Sequence, residues 1–309
     1  MTSYPHHDRF VRGNLADIAF SRRFFRLLLE QRVLKEIDLE KLEMCKDSFI
    51  DKNLNAIFTD LLFIAPYAKH KACITILIEH KSEGTVLAPG CDLPWQLRCQ
   101  EIAVMKDFRR NHPQNQAPIV WLIGLYHGRD PYQGPLTVAE NMHGPKELIP
   151  KRWKEKDMQL IDLCSFSDEE LAVGGKLSVF LLILKHIYDE NILERVSQLL
   201  PEMQELDVDQ DGRNFLISVF TYLFEASSTE KQEEIEQFAV QSLSKETKEG
   251  VMTIAEKLRA EGKKEGKKEG EKNGIRKVAQ RMLKKGLDLA TVSECSGLTI
   301  ETLKTLKNT

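Results

Sequence analysis

Phe20, Phe24, Leu27 and Leu28 recur at helical spacing, with Arg22, Arg23, Arg26 and Glu30 around them. That period predicts an amphipathic helix within residues 10–34. Residues 57–64, IFTDLLFI, read as a strand that ends before Ala65-Pro66. Residues 72–79, ACITILIE, are rich in β-branched side chains, the pattern of a strand covered on both faces. A turn over residues 66–71 makes the two a hairpin. Helical spacing returns over residues 94–110, with Leu97, Ile102, Met105 and Phe108 as its apolar set. Residues 118–126, PIVWLIGLY, form another buried strand, closed by His127-Gly128. Helix, strands, helix and strand in that order describe an α/β domain around a mixed sheet.

From Pro145 onward the pattern is almost wholly helical, strongest over residues 177–200 and 215–224. Ser227-Ser228-Thr229 marks a helix start ahead of the acidic residues Glu233, Glu234 and Glu236. Gly250, Gly262, Gly266, Gly270 and Gly274 share one four-residue register. Two readings of that stretch stand. It is a solvated linker, since each glycine weakens a helix by about 1 kcal/mol relative to alanine. Or it is a helix whose glycine stripe admits a second helix and joins two copies as a homodimer. Three short helical pieces follow: residues 275–285 stop at Gly286, residues 289–295 stop at Gly297, and residues 299–306 come last. The final two pieces, across a Ser-Gly turn, make a candidate helix-turn-helix, a unit that either reads DNA or only packs. The expected division is 1–240, with a helical extension from residue 145, then 241–274 as linker or helix, then 275–309.

Of the 309 residues 42% are apolar, enough for a sizeable core and too many for global disorder. The net charge of −3 singles out no partner, but its distribution does. Residues 255–286 carry twelve Lys/Arg against five Asp/Glu, a local +7 that leaves −10 on the rest. A basic segment on an acidic body suits a phosphate-bearing partner. Cys45, Cys73, Cys91, Cys99, Cys164 and Cys295 form no CxxC pair and no zinc-ligand spacing, so reduced, mostly packing thiols of a cytosolic protein are expected. Residues 1–12 lack the apolar stretch of a secretory signal. The longest apolar run, residues 177–187, contains Lys185 and His186 and is too short to span a bilayer. A cytoplasmic location and no membrane partner are the expectation.

The chemistry lies on the hairpin. Asp60 falls inside the first strand and Glu79 closes the second, followed by His80 and Lys81. An acid in a strand is disfavoured, and burying it is costly unless it is paired or binds a metal. Glu79 and Lys81 are two apart and point the same way in an extended chain. Two carboxylates and a lysine at a sheet edge suit phosphodiester hydrolysis: the acids hold Mg²⁺ and the lysine stabilises developing charge. The alternative is an ion pair of Lys81 with Asp60 or Glu79 that supports only the hairpin.

The surrounding blocks resemble the Rpn family, the recombination-promoting nucleases of the PD-(D/E)XK type. The residues that carry the resemblance are His7-Asp8-Arg9-Phe10-Val11-Arg12, Ser48-Phe49-Ile50-Asp51, Thr59-Asp60-Leu61-Leu62-Phe63, Leu77-Ile78-Glu79-His80-Lys81-Ser82 and Leu125-Tyr126-His127-Gly128. The glycine-punctuated tail and closing helices are similar too, so the likeness covers nearly the whole chain. It implies a restriction-endonuclease-like α/β core with a mixed central sheet flanked by helices, followed by an all-helical C-terminal region. It also implies DNA as partner and a DNA endonuclease dependent on Mg²⁺, with Mn²⁺ as substitute. Asp60, Glu79 and Lys81 are carried over as the catalytic set, with Asp60 and Glu79 as metal ligands. Gln96 corresponds to the glutamine of a QxxxY motif, in which this chain has Gln100 where tyrosine is expected. Many members have glutamine at the place of Lys81, so this chain keeps the fuller nuclease signature.

Some residues keep two readings. His7 and Asp8 either help shape the site or cap the first helix. Tyr126-His127-Gly128 either borders the site or simply ends a strand. A catalytically inactive DNA- or protein-binding module on the same fold is the alternative to the endonuclease.

Overall fold

The computed structural model describes residues 5–45, 61–67, 73–82, 92–156 and 158–307. Three helices open the chain: α1 (Pro5–Leu15), α2 (Ile18–Leu28) and α3 (Gln31–Leu34). The helical stretch expected over residues 10–34 is thus broken twice. Asp17 makes the first break, because its carboxylate accepts from the N–H groups of Ala19 and Phe20 and starts a new helix. Asp8 lies within the first turn of α1 rather than before it, so it acts on the helix dipole and not as the cap.

Strands β1 (Glu43–Met44), β2 (Leu61–Pro66), β3 (Cys73–Lys81), β4 (Ile119–Tyr126) and β5 (Met158–Asp162) form one sheet in that spatial order. β1, β2 and β3 pair antiparallel, whereas β3, β4 and β5 pair parallel, so the sheet is mixed as expected. Helix α4 (Leu93–Asn111) lies on the connection from β3 to β4. β2 continues through Ala65 to Pro66, which pairs with Cys73. A proline at a strand's last position removes only a terminal ladder bond, so the predicted stop before Ala65 comes too early. Residues 57–60 and 68–72, where the strand start and the hairpin turn were expected, lie outside the described residues.

β5 falls in the stretch expected to be helical. Its five residues are too few for a clear period, and Gln159 interrupts the apolar run. Gln159 can be buried because both ends of its amide are hydrogen-bonded. Its Oε1 accepts from the Glu30 N–H at 3.2 Å and the Trp121 indole at 3.3 Å, and its Nε2 donates to the Leu28 carbonyl at 2.5 Å.

Strand alternation sets the two faces of the sheet. Leu62, Val120, Leu122 and Met158 meet Leu93 and Leu97 of α4 on one of them. Phe63, the next residue along β2, packs edge-on against Phe25 of α2 with ring centroids 5.2 Å apart. α4 buries Leu93, Pro94, Leu97, Gln100, Ala103 and Asp107, while Ile102 of the predicted set is exposed. Two of the buried positions are polar, and that hides the true stripe from a reading based on hydrophobicity.

The helical remainder comprises α5 (Lys151–Lys154), α6 (Asp168–Leu171), α7 (Gly175–His186), α8 (Ile192–Gln198), α9 (Leu200–Leu206), α10 (Gln210–Ala226), α11 (Thr229–Ser242) and α12 (Lys245–Lys284). The helix expected over residues 177–200 is split between α7 and α8. α10 packs on α1: Phe10 stacks on Tyr222 at 4.3 Å, and Arg9 holds both oxygens of Glu225 at 2.8 Å. The buried Asp207 carboxylate receives the Ser244 N–H at 2.5 Å, the Ser244 hydroxyl at 2.7 Å and the Thr247 hydroxyl, which fixes the start of α12.

α12 runs unbroken through the glycine register, so that stretch is helix rather than coil. A Cβ at Gly262, Gly266, Gly270 or Gly274 would meet nothing within 4 Å. By contacts the chain divides into two units, Met1–Val251 and Met252–Thr309. In the second, α13 (Leu289–Ser296) and α14 (Ile300–Lys307) are joined across Gly297, whose φ of 69° is left-handed. Ala279, Leu283, Val292 and Leu303 form the core of this unit. Among the described residues Cys45, Cys99, Cys164 and Cys295 form no disulfide. Cys99 and Cys295 are exposed and do not pack as expected. Among the described residues no helix is long and apolar enough to cross a membrane.

Candidate active site

β3 is the central strand of the sheet and ends in Glu79-His80-Lys81. Glu79 is 5% exposed, a costly place for a carboxylate without partners. It has two. The Lys81 ammonium lies 2.6 Å from its Oε1, and Gln100 Nε2 of α4 donates to its Oε2 at 2.9 Å. The ion pair therefore runs along one strand, between residues that alternation places on the same face. Asp60 lies outside the described residues. Leu61, which follows it in the sequence, pairs with Ile78, which precedes Glu79.

β4 supplies the neighbouring strand end. Gly124 stands opposite Glu79 and Tyr126 opposite Lys81. A Cβ at Gly124 would lie 2.4 Å from the Leu93 side chain, so glycine lets the start of α4 approach the sheet beside Glu79. The His127 N–H donates to the Lys81 carbonyl at 3.1 Å. At Gly128 a Cβ would lie 1.8 Å from the Tyr126 hydroxyl, which donates to the Asp130 carbonyl at 2.9 Å. The Tyr126-His127-Gly128 block thus does both things considered for it: it ends the strand and it borders the candidate site.

Gln96 and Gln100 are one helical turn apart on α4. Gln100 is the one hydrogen-bonded to Glu79. Gln96 Oε1 is buried and has no hydrogen-bond partner among the described residues. The sequence assigned the glutamine role to Gln96 and treated Gln100 only as a missing tyrosine. The four-residue spacing was the available signal that both residues share a face.

Behind the strand end lies a cluster of histidines and tyrosines. His80 and His127 stack at 4.7 Å, and His7 stands edge-on to His127 at 5.1 Å. His7 Nδ1 is 2.7 Å from the Tyr222 hydroxyl, and its Nε2 is 3.1 Å from the Tyr188 hydroxyl. Tyr188 also donates to the Ser82 carbonyl at 3.1 Å. Burial holds these imidazoles neutral. It pushes His7 down to about 2, helped by His127 and His6, and His80 down to about 3, helped by His7 and Lys81. His127 is driven well below its ordinary value by burial first and by His80 second. Among the described residues neither of its ring nitrogens reaches hydrogen-bonding geometry, although the Leu184 carbonyl lies near enough to oppose the shift. Asp8, next to His7, feels the strand end directly. Burial raises its pKa; Arg12 lowers it, the Glu79 charge raises it and the Lys81 charge lowers it. Of the two readings of His7-Asp8, the geometry favours residues that border the site.

A carboxylate is a hard oxygen ligand of the kind Mg²⁺ takes. Glu79 offers one at the strand end. Among the described residues no three His, Cys, Asp or Glu side chains converge as a metal site.

Comparison with known proteins accounts for both parts of the chain. Residues 5–214 match the family described as "Putative transposase, YhgA-like". Residues 272–308 match the C-terminal helix-turn-helix domain of the Rpn/YhgA-like nuclease family, the segment that holds α13 and α14. The chain is 27% identical to the inactive recombination-promoting nuclease-like protein RpnE of Escherichia coli K12, over 96% of each chain. It is 26% identical to the recombination-promoting nuclease RpnA of the same strain, over 96% of this chain and 95% of that one. It is 24% identical to the recombination-promoting nuclease RpnD of Escherichia coli O157:H7, over 83% of this chain and 95% of that one. No solved structure matches. With its sheet domain and its terminal helix-turn-helix both matched, the chain belongs to the YhgA-like transposase family of Rpn nucleases.

Proposed function

We propose that this protein is a divalent-metal-dependent DNA endonuclease that promotes recombination, built on a restriction-endonuclease-like core. One observation carries the proposal: a buried carboxylate, Glu79, held by Lys81 and Gln100 at the end of the central strand. Glu79 and Asp60 would hold Mg²⁺, with Mn²⁺ as substitute. The ion would polarise the phosphate and acidify a water for attack on phosphorus. Lys81 faces the same ground and neutralises charge that builds on the phosphate oxygens as the bond breaks. Gln100 fixes the rotamer of Glu79, so the carboxylate needs little reorganisation when it takes a ligand. Gln96 brings a buried amide oxygen near the start of the same helix and is assigned to orienting the reacting groups. The basic α12 and the helix-turn-helix supply affinity for DNA by neutralising phosphates.

The test is cleavage of supercoiled plasmid by the purified chain with Mg²⁺, Mn²⁺, Ca²⁺ or EDTA. Nicking or linearisation with Mg²⁺ that EDTA removes supports the reading, and intact plasmid in every case overturns it. A second reading, a DNA-binding module without turnover, draws on two observations. RpnE, similar over nearly its whole length, is named inactive. Gln100 also stands where the resemblance to the nucleases implies tyrosine. Metal-independent retention of plasmid without cutting would favour it.

A further inference from the structure

Tyr222 is 1% exposed and His7 3% exposed, yet their polar atoms are matched through to the candidate site. The proton positions follow from the acceptors. A backbone carbonyl only accepts, so the single proton of the Tyr188 hydroxyl goes to Ser82. The Tyr188 oxygen is then left to accept, and His7 Nε2 must carry the donating proton. A neutral His7 protonated on Nε2 has a bare Nδ1, which accepts from the Tyr222 hydroxyl. The four groups form a chain with one direction: Tyr222 to His7, His7 to Tyr188, Tyr188 to the carbonyl of Ser82.

We propose that His7, Tyr188 and Tyr222 are positioning residues, a one-way hydrogen-bond relay that fixes the peptide following Lys81 and so the aim of the lysine. The proposal rests on the endonuclease reading for its consequence in catalysis, though not for the relay itself. Ser82 directly follows Lys81, the last residue of β3. One peptide earlier, the Lys81 carbonyl is held by the His127 N–H. The relay holds the next carbonyl from α10, α1 and the segment after α7, so the two successive carbonyls that follow the lysine are both held. The same first turn of α1 carries Asp8, which lies within electrostatic range of Glu79 and Lys81. Burial of His7 keeps the imidazole neutral, as a single tautomer requires.

Two measurements test this in the full-length chain. In the first, ¹⁵N spectra of the His7 ring report which nitrogen carries the proton, and the ¹³C shift of the Ser82 carbonyl reports its hydrogen bond. An Nε2–H ring and a Ser82 shift that moves in Tyr188→Phe are expected. An Nδ1–H ring, or an unmoved carbonyl, overturns the relay. In the second, Tyr188→Phe and Tyr222→Phe should lower kcat for Mg²⁺-dependent cutting roughly tenfold, with KM for DNA and the melting temperature little changed. His7→Gln, which keeps an amide donor, should retain more activity than His7→Ala. Unchanged kcat in Tyr188→Phe overturns the positioning role. If the wild-type chain does not cut at all, the endonuclease reading falls, and the spectra still decide the relay.

Discussion

Gln100 Nε2 and Glu79 Oε2 are 2.9 Å apart, and this hydrogen bond joins α4 to the end of the central strand from the position where a tyrosine was expected. Gln100→Leu keeps much of the volume and removes the donor. A buried carboxylate that loses a donor costs about 1–3 kcal/mol. Urea unfolding should report a loss of that size, and the rate of plasmid cutting should fall with it. A variant as stable and as active as the wild type would show that Lys81 alone orients Glu79.

Glu79→Gln keeps the shape of the side chain and removes the charge a metal needs. It should abolish Mg²⁺-dependent cutting while the chain stays folded by circular dichroism, and Asp60→Ala should do the same. Isothermal titration with Mn²⁺ should show the lost metal binding directly. Metal-dependent cutting retained in both variants would sink the assignment.

Lys81→Gln should lower the cleavage rate more than the affinity for DNA, because the lysine is assigned to charge that develops in the transition state. Single-turnover rates and filter binding separate the two. Equal losses would make Lys81 a simple phosphate contact.

Stability should fall with acid. His7 and His127 are held neutral in the fold, with pKa values below the roughly 6.5 of an unfolded chain. Above that pH neither state is protonated and the rings contribute no pH dependence. Below it the unfolded chain takes up protons that the fold excludes, so stability drops by up to about 1.4 kcal/mol per pH unit for each ring. Urea unfolding between about pH 7 and about pH 5 should show this slope, within the range these rings govern. His127→Phe should make it shallower by one proton. An identical slope in that variant would mean that His127 titrates normally.

Lys263, Lys264 and Lys267 project from the exposed middle of α12. Each lysine that neutralises a phosphate adds about 0.9 to the slope of log affinity against log salt. Replacing all three with glutamine should flatten that slope and weaken binding alike on unrelated sequences. An unchanged slope would remove α12 from the DNA interface. Sedimentation of the same variants and the wild type tests the homodimer that the glycine register suggests, and a wild-type monomer at every concentration would remove it.

The sequence was most legible where burial is uniform. The apolar runs of β3 and β4 and the spacing of Phe20, Phe24 and Leu28 can be read because most of their inward positions are hydrophobic, with Ser21, Thr75 and Glu79 as the buried polar residues among them. α4 was found, but its inward face was misread, because Gln100 and Asp107 occupy core positions and satisfy their polarity through contacts distant in sequence or one turn away. β5 was missed for a similar reason, since Gln159 is made tolerable in the core by Glu30, Leu28 and Trp121. The Glu79–Lys81 pair was legible from its spacing of two. The contribution of His7 was not, because nothing local links it to Tyr188 and Tyr222, 181 and 215 residues away.

That separation of 215 residues also bears on timing during synthesis. Domains begin to fold from the N-terminus as the chain emerges. Here α1 emerges first but must wait for α10 before His7 finds Tyr222, Phe10 finds its stacking partner and Arg9 finds Glu225. A nascent chain or a fragment that stops short of α10 carries Glu79 and Lys81 but not the full support of the first helix. A chain arranged in this way completes the packing around its first helix only after α10 has been made.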